Sequence, residues 1–161
     1  MFINPAIDDK YFGYETPPSG SSFIEEVYKK IFKNATNCSA IELQEKEALR
    51  ALDEVFFEYS MENWDGYNAK PLSQKACFEA KKFLQLMPSS LPLPQINPEA
   101  DGEIELEWYK NSKCLFAISL GGNNMLTFAG IFGEINKIHG TEAFVDLIPA
   151  TIVSYIKRAV G

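Results

Sequence analysis

Glu103, Glu105 and Glu107 alternate along one short stretch of this chain, and His139 is its single histidine. In an extended strand, side chains two apart share a face at spacings of about 7 Å. Carboxylates placed like that could hold a divalent cation or act as general acid and base. His139, in Ile138-His139-Gly140, is the one imidazole available as a base. Joined to Asp65 and to Glu105 or Glu107 across the loop ends of a sheet, it would make a small hydrolase or nuclease-like site. Two plainer readings compete. Like charges in a row form a solvated outer face that discourages edge pairing, and such a strip could also dock a basic partner protein.

A second group is Trp64, Asp65 and Tyr67, within Asn63-Trp64-Asp65-Gly66-Tyr67-Asn68-Ala69-Lys70-Pro71. As a recognition loop, Trp64 and Tyr67 would supply contact area at low entropic cost, and Asp65 a charge-assisted hydrogen bond. As a structural corner, Trp64 would plug the core between helices and sheet while Asp65 caps the turn. Asp-Gly favours a tight turn, and Pro71 ends any helix before it.

Other chemistry finds little support. Cys38, Cys77 and Cys114 are odd in number and form no C-x-x-C pair, so they read as reduced, structural thiols and not as a zinc site. No G-x-S-x-G elbow is present. Gly121-Gly122 lacks a following Lys-Ser/Thr and reads as a hairpin turn, not a phosphate cradle. No catalytic residue, metal or cofactor is assigned.

The elements that must position these residues follow from periodicity and punctuation. Residues 1–21 read as an irregular arm, rich in Pro, Gly and Ser yet holding Phe2, Tyr11, Phe12 and Tyr14. A helix is expected from Ser22, where Ser22 and Glu25 make a capping box, with a stop at Asn34–Asn37. A second box at Ser39 and Glu42 opens another helix to about Tyr59, with Ala48, Leu49, Leu52, Val55, Phe56 and Tyr59 inward. Ser73 caps a third, with Ala76, Cys77, Ala80, Phe83, Leu84 and Met87 inward. Pro88, Pro92, Pro94 and Pro98 make the next stretch an extended connector.

From Asp101 the period becomes two. Ile104, Leu106 and Trp108 alternate with the glutamates as a strand with one buried face. Cys114–Leu120 is a central strand, Gly121–Asn124 a hairpin and Met125–Phe132 a third strand. Residues 133–141 are a loop or a short fourth strand, and a helix closes the chain over roughly 146–160. The class is α+β: N-terminal helices on a three-stranded, or at most four-stranded, antiparallel meander with a C-terminal helix. The expected division is an arm over 1–21 and one domain over 22–161.

Asn63-Trp64-Asp65-Gly66-Tyr67 with Ala69 and Pro71, followed by Asp101-Gly102-Glu103-Ile104-Glu105-Leu106-Glu107-Trp108, resembles a family of small uncharacterised bacterial proteins. In that family the first motif leads into a helix, a Pro-rich connector and a strand of Asp-Gly-x-Ile-x-Leu-x-Trp form. The likeness covers about residues 62–132. It implies this order of elements and a bacterial or phage-like origin, and it transfers no catalytic residue. Asn68 stands where the pattern has Gly.

The whole composition narrows the partners. The 161 residues carry 15 Lys and Arg against 22 Asp and Glu, a net charge of −7. Sequence-independent nucleic-acid binding needs the opposite excess. No apolar run approaches the ~20 residues of a membrane span, and no signal peptide is visible. The expectation is a cytoplasmic, non-enzymatic, acidic binding module, antitoxin-like, immunity-like or regulatory, that engages a basic protein. Its binding residues would be Trp64, Asp65, Tyr67, Glu103, Glu105 and Glu107. The oligomeric state is left open.

Overall fold

The computed structural model describes residues 20–161, so the expected arm lies almost wholly outside the described residues. The chain divides into two compact units, residues 1–38 and 39–161, and the second contains every candidate residue. Helix α1 spans Gly20–Glu58. The expected break at Asn34–Asn37 is absent, because no Pro or Gly interrupts residues 21–58. Asn, Thr and Ser cost only ~0.7 kcal/mol each inside a helix, too little to end one. On its later turns Ala48 and Leu52 are buried, with Leu49, Val55, Phe56 and Tyr59 packed beside them, as the periodicity predicts.

Helix α2, Gln74–Leu86, starts where Ser73 Oγ accepts from the N–H groups of Lys75 and Ala76. Five strands follow: β1 Gln95–Pro98, β2 Ile104–Asn111, β3 Cys114–Leu120, β4 Met125–Phe132 and β5 Lys137–Ala143. They pair antiparallel in sequence order. The α+β class therefore stands, while the expected three or four strands become five. The Pro-rich connector contributes β1, an edge strand that needs few backbone donors, and residues 137–143 form a full strand.

Helix α3, Ala150–Val160, begins later than expected, with Pro149 just before it accepting from Ile152 N–H at 3.0 Å. Its buried Ile152, Ile156 and Ala159 pack on the sheet face formed by Ile104, Leu106, Trp108, Phe116, Ile118, Leu120, Leu126 and Phe128. Phe116 sits centrally, with the rings of Trp108, Phe128, Phe132 and Tyr155 all within 6.4 Å of it, centroid to centroid. Large apolar side chains thus alternate onto one face of the sheet. The opposite face carries the intervening residues and, among the described helices, α2 and α3 both pack on the apolar side.

Candidate functional site

The strand register sets out the uncovered face row by row. Gln95, Glu107, Ala117, Ala129 and His139 are successive cross-strand neighbours. Asn97, Glu105, Ser119, Thr127 and Thr141 form the adjacent row. Small side chains occupy the middle of both rows, with Glu105 and Glu107 on the β2 side and His139 at the β5 margin. The result is a shallow trough of about 420 Å³, lined by Glu99, Glu103 and Glu105 on one side, His139 on the other, and Ala117, Ser119, Thr127 and Ala129 between.

The acidic wall is denser than three alternating glutamates suggest. Gly102, at φ +92°, turns the chain so that Glu99 N–H donates to Glu103 O at 3.0 Å. Carboxylate oxygens of Glu99, Asp101 and Glu103 then lie within 4.8 Å of one another. Glu99 accepts a hydrogen bond from Ser119 Oγ, and Asp101 Oδ1 accepts from Glu103 N–H at 3.1 Å. Glu107 Oε2 accepts from Asn97 Nδ2 at 3.2 Å. Burial raises the Glu99 carboxyl above its ordinary range, with Asp101 and Glu103 adding to the shift against the Ser119 hydrogen bond. Burial likewise raises Glu105, reinforced by Glu107 and Glu99. Negative charge here is costly, and a cation arriving in the trough would relieve that cost.

Glu99, Ser119 and Asn97 are members of this wall that strand periodicity alone misses. The signal for Glu99 is present: acids stand at 99, 101, 103, 105 and 107, so the alternation extends upstream through the turn. Ser119 and Asn97 carry no such signal, since only register brings them beside the glutamates.

The structure separates His139 from the glutamates. Glu107 and His139 lie in one row with two strands between them, three strand spacings or about 14 Å between backbones. Side chains standing off the same sheet face at that separation make no direct hydrogen bond. Asp65 lies elsewhere, and its Oδ1 is engaged by the N–H groups of Tyr67 at 2.7 Å and Ala69 at 3.0 Å. The acid–base grouping of Asp65, Glu105 or Glu107 and His139 does not assemble.

The Trp64 segment is built as a corner. Asn63 and Asn68 adopt positive φ, at 60° and 73°, a region asparagine tolerates better than most residues. Asn63 Oδ1 accepts from Asn68 N–H, and Asp65 caps the turn as expected. Trp64 does not plug the core between helices and sheet. It is half-buried, meets Tyr59 edge-on at 4.8 Å, and donates from Nε1 to Lys70 O at 2.9 Å. Trp108 takes the core position, anchored by Nε1 to Pro92 O. Tyr67 stays 88% exposed.

The corner is tied directly to the acidic turn. Lys70 N–H donates to Ala100 O and Ser73 N–H to Gly102 O, at 2.8 and 2.9 Å. A Cβ on Gly102 would lie 2.9 Å from Pro71 O. The two motifs, 63–71 and 101–108, are therefore halves of one junction that fixes where the acidic strand begins.

The cysteines fit the structural reading where they are described. Burial raises the Cys77 thiol, with Asp53 reinforcing it, so little reactive thiolate forms. Cys114 Sγ contacts Ala159 O at 3.2 Å. No helix among the described residues is long and apolar enough to cross a membrane. No protein-family model, curated protein or solved structure matches the chain.

Proposed function

We propose that the uncovered sheet face is a binding surface for a basic segment of a partner protein, in the manner of an antitoxin, immunity protein or regulatory subunit. The observation that carries this reading is the trough itself. Its floor of Ala117, Ser119 and Ala129 leaves room for a long side chain, and its wall of Glu99, Glu103 and Glu105 offers carboxylates that a lysine or arginine would pair with. Glu107 extends the same surface along β2. Trp64 and Asp65 support it indirectly, since the corner they close sets the β1–β2 turn, while Tyr67 is the exposed aromatic of that segment, free to touch a partner. Desolvated charge pairs of this kind give specificity and speed encounter more than they add raw affinity.

A direct test is titration of the labelled protein with a lysine- and arginine-rich decapeptide, followed by backbone amide shifts. The expected result is saturable shifts at Ala117, Ser119 and Ala129 that weaken as salt rises and are lost in the Glu99→Gln, Glu105→Gln double variant. Shifts centred elsewhere, or none at millimolar peptide, would overturn the proposal.

A further inference from the structure

An open meander has two free edges, and this chain treats them oppositely. On β1, the register Asn97↔Glu105 together with the Glu99 N–H to Glu103 O bond turns the backbone groups of Gln95 and Asn97 toward β2. The outward positions are therefore 94, 96 and 98, and Pro94 and Pro98 fill two of them. Proline has no N–H to offer, so Ile96 is left as the lone donor and the edge is blunted.

On β5 nothing comparable is found. Phe132 N–H donates to Asn136 O and Phe144 N–H to Asn124 O, at 2.8 Å each, at the two ends of the β4–β5 ladder. Hydrogen-bonded pairs alternate along an antiparallel ladder. With the register running from Met125↔Ala143 to Ile131↔Lys137, the backbones of Ile138, Gly140 and Glu142 face β4. Lys137, His139, Thr141 and Ala143 direct their N–H and C=O groups outward. The strand holds no proline and no register shift, and among the described residues no hydrogen bond reaches that edge.

We propose that β5 pairs antiparallel with β5 of a second copy of this chain, about a two-fold axis at Gly140, so that two meanders join into one continuous sheet. This register sets Lys137 opposite Ala143 of the second copy and His139 opposite Thr141, and the reciprocal pairs complete the seam. Each such pair exchanges two hydrogen bonds. Ile138 meets Glu142, and Gly140 meets Gly140, where the absence of a side chain matters because the Phe128 ring already lies 2.8 Å from a Cβ at that position. No like charges oppose each other, and Lys137 and Glu142 leave β5 neutral within a chain of net charge −7.

The occupant is argued by symmetry. In the bends that flank the strand, Ile135 of one copy and Val145 of the other fall at the same end of the seam. These residues stand equally far from Gly140 and are 95% and 52% exposed. A partner of different sequence would not require matched apolar residues at both ends of one strand. An isologous pairing does, since each end of the seam is built from opposite ends of the two strands.

The test is sedimentation of the full chain from about 1 to about 200 µM, with hydrogen exchange followed at both limits; this range spans typical weak self-association. The expected result is a monomer–dimer equilibrium with exchange at Lys137, His139, Thr141 and Ala143 slowed at the high concentration. Thr141→Pro removes an N–H that lies outside the β4–β5 ladder and should abolish the dimer. The exposed double variant Ile135→Lys, Val145→Lys should raise the dissociation constant about tenfold or more, and Ile135→Glu, Val145→Lys should restore it. A chain that stays monomeric at the high limit overturns the proposal. A dimer that survives Thr141→Pro, with the edge amides exchanging at monomer rates, overturns it too.

Discussion

Glu79 is the one charged side chain buried among the described residues. It is 6% exposed, and its two carboxylate oxygens accept from Gly122 N–H at 2.6 Å and Asn124 N–H at 2.8 Å. It pins the β3–β4 hairpin onto α2, where a glycine is needed because a Cβ at position 122 would fall 2.3 Å from Lys75 Cβ. Glu79→Ala strands two donors and should destabilise the protein by about 2–4 kcal/mol, read from the denaturant midpoint. Glu105 should behave in the opposite sense. Burial raises its carboxyl above the ordinary 4.5, with Glu107 and Glu99 adding to the shift, so the folded state holds the proton more tightly than the unfolded one. Stability is therefore lost as pH climbs from about 4.5 through the raised value. Glu105→Gln should raise the melting midpoint near neutral pH, with the gain vanishing below about pH 4.

Among the elements, the junction between the corner and β2 decides where the acidic wall stands. Gly102 and Gly133 both sit at φ near +90°, but only Gly102 has a backbone oxygen, Pro71 O, where a Cβ would go. Gly133→Ala should cost about 1 kcal/mol for its backbone conformation alone. Gly102→Ala should cost clearly more, about 2–4 kcal/mol, because Pro71 must move as well. Equal losses in chemical denaturation would mean that the junction is loose. Along the chain, legibility varied with the strength of local signals. Ser73, the Gly121–Asn124 hairpin and the inward stripes of α2 and α3 read correctly, since caps, turns and apolar period act within a few residues. The break at 34–37 did not, because weak helix formers were taken for a stop. β1 was missed because prolines that forbid a central strand still permit an edge.

For the molecule as a whole, charge sets the response to its surroundings. The net charge is −7, and Glu99, Asp101, Glu103, Glu105 and Glu107 crowd one margin of the sheet. The ion pairs Arg50–Glu54, Lys82–Asp146 and Lys113–Glu134 are largely solvent-exposed and contribute at most about 1 kcal/mol each. Screening should then relieve more repulsion than it removes attraction. The unfolding midpoint is expected to rise between about 10 and about 200 mM sodium chloride, as the Debye length falls from about 30 Å to below 10 Å. The rise should shrink in a Glu103→Gln, Glu105→Gln variant. A midpoint that falls with salt would show that the crowded carboxylates do not repel appreciably.

The sequence by itself determined the α+β class, the strands from 104 to 132, the apolar inward residues of α2, α3 and the later turns of α1, and the side of β2 on which the glutamates lie. Each of these depends on period, caps or turn chemistry, which are local. Tertiary structure alone decided the rest. Strand register placed Ser119 and Asn97 beside the glutamates and held His139 three strands away from Glu107. Packing sent Trp64 to the corner and Trp108 to the core. It also buried Glu79 against two hairpin amides. Which side chains meet across a sheet or between a helix and a hairpin depends on contacts between residues distant in the chain, and no local pattern encodes them.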